Sequence, residues 1–189
     1  MQTLRPAFLM IILFTVLCGG LYPAVVTALA QALFPRQAAG SLTCDHSGRV
    51  VGSELIGQPF TDPKYLWPRP SASGDFAYNP MASGGSNNGP TNPGYLATVA
   101  TRVRELRAAG ITGPIPADLV QASASGLDPH ITPQAANQQI QRIAAARAMS
   151  VEKVASVIAA RTEPRQWGFM GAPRVNVLAV NLELDTMKP

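Results

Sequence analysis

Thirty consecutive positions, Pro6 to Pro35, carry no charged side chain, with Arg5 before them and Arg36 after. As a helix rising 1.5 Å per residue, such a run reaches about 45 Å, against a hydrocarbon core of about 30 Å. Its Leu, Ile, Val and Phe residues together favour insertion by about 5 kcal/mol. The pattern predicts a transmembrane helix over residues 7–34, led by a short segment 1–6 and followed by a domain over residues 35–189. Ala28-Leu29-Ala30 has the form that signal peptidase cuts, but the apolar run is too long for a signal h-region and continues past the cut through Phe34. A lipoprotein site at Cys18 is disfavoured by the bulk of Leu17 before it.

Within the run, Gly19-Gly20-Leu21-Tyr22-Pro23 interrupts regularity. Proline has no N–H for the carbonyl of Gly19, so a kink is expected there, and the glycines let another helix approach closely. Gly19, Gly20, Tyr22 and Pro23 are therefore candidate kink and packing residues. Arg5 and the α-amino group outweigh Arg36, which has Asp45 nearby. The bias points to a cytoplasmic N-terminus and an external, periplasmic domain.

Beyond the span, the apolar pattern changes period several times. Ser41–Cys44 and Arg49–Ile56 flank the turn-like Asp45-His46-Ser47-Gly48 and predict a β-hairpin. Asn92-Pro93 opens a helix closed by Gly110, with Leu96, Val99, Val103 and Leu106 on its inner face and Arg102, Arg104, Glu105 and Arg107 on its wet side. A short strand is expected over Leu119–Ser123. Thr132-Pro133 starts a second helix, with Ala136, Ile140, Ile143 and Ala144 inward. Ser150 caps a third, with Val151, Val154, Ala155 and Ile158 inward. The Val- and Leu-rich run Arg174–Asp185 reads as a strand. The fold class is thus an α+β soluble domain tethered by a single N-terminal transmembrane helix.

Composition removes several functions. The net charge of +4 is modest and the basic residues are dispersed, so nucleic acid is a poor partner. Only Lys64, Lys153 and Lys188 are lysines, which argues against a polybasic lipid patch. Cys18 and Cys44 sit at different depths and cannot pair. His46 and His130 without a cysteine cluster make structural zinc improbable. Ser83–Gly89 is glycine-rich, but no Gly-Lys-Ser/Thr leads into a helix, so it reads as a turn rather than a phosphate cradle. Ser125, Asp128 and His130 crowd too closely in sequence, across Pro129, to assemble a nucleophile and its base. Glu183 and Asp185 are expected on an exposed face. These residues furnish no catalytic set; a tethered ligand-binding module would need convergent charges in a pocket.

Several strings occur in order along the chain: Gly52–Gln58, Tyr65–Ala72, Ala82–Asn87, Gly89–Pro93, Gly126–Ile131 and Arg174–Leu182. Together with Tyr22-Pro23 and Phe34-Pro35, they resemble the small C subunit of the bacterial Kdp potassium-transporting P-type ATPase. Leu66, Pro68, Asn88 and Ala39 depart from the family pattern only in loops. The resemblance implies an accessory subunit of a K+ uptake pump, alongside a channel-like K+-translocating subunit, a P-type ATPase subunit and a very small single-span peptide. It further implies a catalytic-chaperone role that raises ATP affinity in the ATPase subunit. No cofactor is assigned to the chain itself. ATP, at most shared with the ATPase subunit, and K+, moved by the complex, are the ligands the resemblance brings in. The lipid bilayer of the inner membrane is its surroundings.

The resemblance also changes the reading of Pro68–Gly94, whose composition alone suggests a flexible linker. An ordered segment of this kind must satisfy its polar groups against its own domain or a partner. Arg69, Ser71, Tyr78, Ser83, Gly84, Gly85, Ser86 and Asn87 are therefore candidates for a partner-contact loop facing the channel-like subunit.

Overall fold

The structure, a computed structural model, describes residues 3–45 and 47–187. Met1 and Gln2 of the leading segment, His46 of the predicted turn and Lys188 lie outside the described residues. The chain divides into two compact units between Leu42 and Thr43. In the first, helices α1 (Leu4–Val16) and α2 (Tyr22–Leu33) are joined without a break by a π-helical turn, Leu17–Leu21. The resulting helix of 30 residues contains an 18-residue stretch with a mean hydropathy of 2.3. A short helix, α3 (Pro35–Ala38), follows.

The second unit opens with β1 (Leu42–Cys44) and β2 (Val50–Ser53), paired as a two-stranded sheet. Asp45 makes the turn: its carboxylate accepts the N–H groups of Ser47 (2.9 Å) and Arg49 (3.0 Å). The second strand ends at Ser53 rather than Ile56, because Leu55 N–H bonds back to Ser53 Oγ. Helix α4 (Pro93–Ala108) starts where Asn92 accepts the N–H groups of Gly94 and Tyr95. Its first turns stand off the core. Leu96 is 50 % exposed, Val99 and Val103 are half-buried, and only Leu106 is fully enclosed. Arg102, expected on the wet side, instead reaches back to donate to Val120 O at 2.8 Å.

The expected strand at Leu119–Ser123 is absent. Ala117–Leu119 forms a 3-10 turn, Val120 and Gln121 bond back to Ala117 O, and Asp118 caps Thr132 N–H at 2.6 Å. That compact turn buries Leu119 and Val120 without a ladder. Strand β3 (His130–Ile131) leads into α5 (Pro133–Asn137) and α6 (Ile140–Arg147), two helices where one was expected. The division falls at Gln139, whose side chain is fully buried. Helix α7 (Val151–Ala160) starts at Ser150, whose Oγ accepts Lys153 N–H at 3.2 Å. Val154, Val157 and Ile158 face inward, while Val151 stays 45 % exposed. Replacing Ser150 with alanine is expected to cost about 1 kcal/mol, read as a lower midpoint of thermal unfolding.

Strands β4 (Thr162–Glu163) and β5 (Arg174–Asn176) complete a three-stranded antiparallel sheet in the order β3-β5-β4. Val175 sits at its centre, opposite Ile131 and Thr162. The run expected to continue as a strand to Asp185 turns into α8 (Val177–Thr186). Asn176 accepts Ala179 N–H at 3.0 Å and starts that helix. Val177, Val180, Asn181 and Leu184, spaced at helical steps, are all buried. Glu183 and Asp185 accordingly lie on a helix, paired with Arg161 and Arg147.

Two buried side-chain amides fix the extended residues that precede the Pro68–Gly94 segment. Asn181 accepts Leu66 N–H (2.7 Å) and donates to Leu66 O (3.0 Å). Gln139 does the same for Trp67, at 2.8 and 3.1 Å. Each amide replaces a missing neighbouring strand. Arg142 stacks over the Trp67 ring at 3.8 Å and donates to Gln139 Oε1, and burial pushes its guanidinium down to about 10.

Candidate partner-contact surface

Segment Pro68–Gly94 is ordered by side-chain hydrogen bonds rather than by a sheet. Ser71 Oγ donates to Gly126 O (2.7 Å) and accepts Tyr78 N–H (2.9 Å). Ser73 Oγ donates to Phe76 O and accepts Asn79 N–H. Asn79, buried, caps the 3-10 turn Pro80–Ala82 through Met81 N–H and donates to Gly74 O. Asp75 and Tyr78 have positive φ, which folds the segment back on itself. The Tyr78 hydroxyl donates to Arg69 O. Burial, reinforced by the Asp128 carboxylate, pushes the Tyr78 phenol well above its ordinary range.

The following stretch lies along residues 123–127. Ser83 Oγ and Gly84 N–H both donate to Ser125 O, at 3.0 and 2.9 Å. Gly126 has φ +69°, and a Cβ there would stand 2.8 Å from Gly84 O and 3.0 Å from Ser73 N. Only glycine fits between these strands of backbone. Gly85 approaches Ala124 O similarly.

The structure therefore divides the candidate residues. Arg69, Ser71, Tyr78, Ser83, Gly84 and Gly85 are bonded to or packed against their own domain. Ser86 and Asn87 are exposed, Asn87 with φ +51°. The largest apolar groups the segment presents outward are Phe76 (61 % exposed) and Met81 (92 % exposed). An alternation of large apolar residues with Gly, Ser and Asp was the only signal of this in the sequence.

Asp128 ties the scaffold together. Its carboxylate meets Arg69 Nη1 at 3.2 Å, accepts His130 N–H at 2.9 Å and lies 3.4 Å from His130 Nδ1. Burial alone would raise this carboxyl, but the hydrogen bonds from His130 and the charge of Arg69 outweigh it and hold it below the usual range. A depressed carboxyl stabilises the fold above its unfolded value of about 3.9 and loses that contribution as pH falls through the lower folded value. Thermal unfolding from about pH 6 to 2 should therefore show Asp128→Asn less stable than the wild type at the upper end. The two should converge as the wild-type carboxyl is protonated. Ser125 plays no part in this pairing: its Oγ accepts Leu127 N–H at 3.1 Å.

A groove of about 400 Å³ runs beside the segment, lined by Phe60, Trp67, Pro68, Tyr78, Leu106 and Arg69 among others. Its charges do not converge on a ligand position, since Arg69 is committed to Asp128 and Arg102 to Val120 O.

In the apolar helix, the predicted irregularity takes the form of the π turn. Tyr22 N–H donates to Leu17 O, five residues back, directly before Pro23. A Cβ on Gly19 or Gly20 would meet nothing within 4 Å, and Tyr22 is exposed.

Residues 4–186 match the family model described as K+-transporting ATPase, c chain. The chain belongs to this family. The Potassium-transporting ATPase KdpC subunit of Geobacter sulfurreducens is 66 % identical over 189 residues, covering 100 % of both chains. The subunit of the same name from Methylococcus capsulatus is 55 % identical over 186 residues, 97 % of each chain. That of Burkholderia vietnamiensis is 53 % identical over 188 residues, 98 % of this chain and 97 % of its own. The resemblance read from the ordered motifs is borne out. The chain is a potassium-transport subunit of the Kdp ATPase, with one candidate membrane-spanning helix among the described residues.

Proposed function

We propose that the chain is a non-catalytic accessory subunit of a high-affinity, ATP-driven K+ uptake complex. It joins a channel-like subunit to a P-type ATPase subunit, with a small single-span peptide as a further companion. Its N-terminus is cytoplasmic, and its domain is periplasmic at the inner membrane. The observation that carries this reading is the rigid scaffold under residues 71–87, which holds Phe76 and Met81 out into solvent. Large apolar side chains held rigidly at a surface suit a shaped protein partner, because little freedom remains to be lost on docking.

ATP is inside the cell and the domain outside, so any effect on ATP affinity passes through the membrane segment as a shift in the ATPase subunit's conformational populations. Such coupling is reciprocal. If the chain tightens ATP binding by some factor, ATP tightens association of the chain with the ATPase subunit by the same factor.

Orientation is tested with Cys44, exposed on β1. In a Cys18→Ser background, a membrane-impermeant maleimide applied to cells with a permeabilised outer membrane should label Cys44. Labelling only after the inner membrane is lysed would reverse the topology. The contact is tested with Met81→Asp, which should leave folding unchanged and reduce recovery of the partner subunits. Undiminished recovery and K+-stimulated ATPase activity would remove this segment from the interface.

A further inference from the structure

Asn88-Gly89 is the only asparagine–glycine pair in the chain. Both residues are exposed, near the end of segment Pro68–Gly94 and just before α4. Gly89 has no side chain to shield its backbone nitrogen, and a Cβ built there would meet nothing within 4 Å. Its N–H has no acceptor among the described residues, while its carbonyl accepts Asn92 N–H at 3.1 Å. The side-chain carbonyl of Asn88 faces a donor: Asn92 Nδ2 stands 3.4 Å from Asn88 Oδ1. Asn92 is itself held in place, because its own Oδ1 accepts the N–H groups of Gly94 and Tyr95 at 2.9 and 3.2 Å. An open backbone nitrogen thus adjoins an amide whose oxygen already meets a hydrogen-bond donor.

The other asparagines lack this combination. Asn79 and Asn92 precede proline, whose nitrogen has no proton to lose. Asn176 and Asn181 are buried, with their side chains bonded to Ala179 and Leu66. Asn87 and Asn137 are exposed, but each is followed by a residue that carries a side chain. After Asn137, moreover, the Gln138 N–H is engaged by Gln134 O at 3.2 Å.

We propose that Asn88-Gly89 is a self-modifying site, at which Asn88 deamidates without an enzyme and Asn92 assists. The Gly89 nitrogen gives up its proton to hydroxide and attacks Asn88 Cγ. Negative charge builds on Oδ1 as the new C–N bond forms, and the Asn92 Nδ2 donor stabilises it there. The bond from Cγ to Nδ2 then breaks. The leaving nitrogen takes a proton from water and departs as ammonia, and a succinimide ring closes. Water opens that ring at either carbonyl. Cleavage between nitrogen and Cγ leaves aspartate; cleavage at the main-chain carbonyl leaves isoaspartate, with the chain running on through Cγ. The balance is one water consumed and one ammonia released, with no oxidation or reduction. Either product adds a carboxylate ahead of α4, where the helix N-terminus favours negative charge. Isoaspartate also lengthens the backbone by one carbon before the Gly89–Asn92 turn. Ageing copies thus present an altered edge on segment Pro68–Gly94, whether or not the subunit reading holds.

The test uses the full chain, purified in mild detergent and incubated in mildly acidic and mildly alkaline buffers beside a flexible Asn-Gly reference peptide. Peptide mass spectrometry reads conversion of amide to acid, and methylation by an isoaspartyl methyltransferase reads the isoaspartate. Conversion is expected at Asn88, with both products formed. Its rate should rise on the order of tenfold per pH unit, because the deprotonated Gly89 amide is the nucleophile. Asn88→Gln should slow it by about tenfold or more, since the longer side chain must close a larger ring. Asn92→Ser keeps a capping side chain for α4 but removes the donor, and should slow it by about three- to tenfold. An intact Asn88 after the reference peptide has converted would overturn the proposal. So would equal conversion at Asn87 or Asn137, or a rate indifferent to pH. An unchanged rate in Asn92→Ser would overturn the part given to Asn92.

Discussion

Replacing Asn181 with leucine will destabilise the domain by about 3–5 kcal/mol, although the side chains are nearly the same size. The substitution removes both partners of Leu66, whose N–H and carbonyl are buried and have no neighbouring strand. Each orphaned buried backbone group costs roughly 1–3 kcal/mol, because the leucine offers neither donor nor acceptor and water cannot reach the site. For a domain of this size, that lowers the unfolding midpoint by about 8–15 °C, measurable by circular dichroism on the full chain in detergent. Tyr65→Phe is the matched control. It removes a hydrogen bond to Asp185 that is largely solvated, and should shift the midpoint by little. Equal shifts in the two variants would show that the amide pairing of Leu66 is not what holds this segment.

The second large effect is expected at Gly126. Gly126→Val places a β-branched residue at φ +69° and drives its Cβ into the backbone of Gly84 and Ser73. The strain and the displaced contacts together should cost about 2–4 kcal/mol. The damage is local in origin: Ser71 loses its acceptor geometry, and Ser83 and Gly84 lose Ser125 O. Amide hydrogen exchange should therefore accelerate over residues 71–87 far more than in α7 or α8. Exchange that rises uniformly, or not at all, would mean that the segment does not depend on its seat against residues 123–127.

These two sites show why the sequence was readable in some places and silent in others. Helix starts were legible because their signal is local. Asn92, Thr132 and Ser150 each cap the N–H groups of residues two or three positions later. Helix α8 reads as a strand in sequence because Val and Leu crowd its first residues and their β propensity masks the helical step of Val177, Val180 and Leu184. The capping side chain of Asn176 was the overlooked clue. Leu96 fits the helical stripe of α4, yet nothing packs over that end of the helix to bury it.

Segment Pro68–Gly94 was the least legible, because its order comes from residues distant in sequence. Ser71 bonds a carbonyl 55 residues away, and Leu66 is held from 115 residues away. Composition cannot distinguish such a segment from a linker; only the ordered motifs of the family pointed to it. The same locality explains the arm that joins β4 to β5. Its tip offers no periodic signal in sequence, and the exposure of Trp167 (83 %) and Phe169 (70 %) follows only from the fold.

The central claim, membership of a working K+ pump through a tethered external domain, is most directly tested by purifying the chain through a C-terminal tag in mild detergent and identifying what accompanies it. The account predicts a P-type ATPase, a large polytopic membrane protein and ATP hydrolysis stimulated by K+. The chain recovered alone, from cells shown to express those proteins, would contradict it.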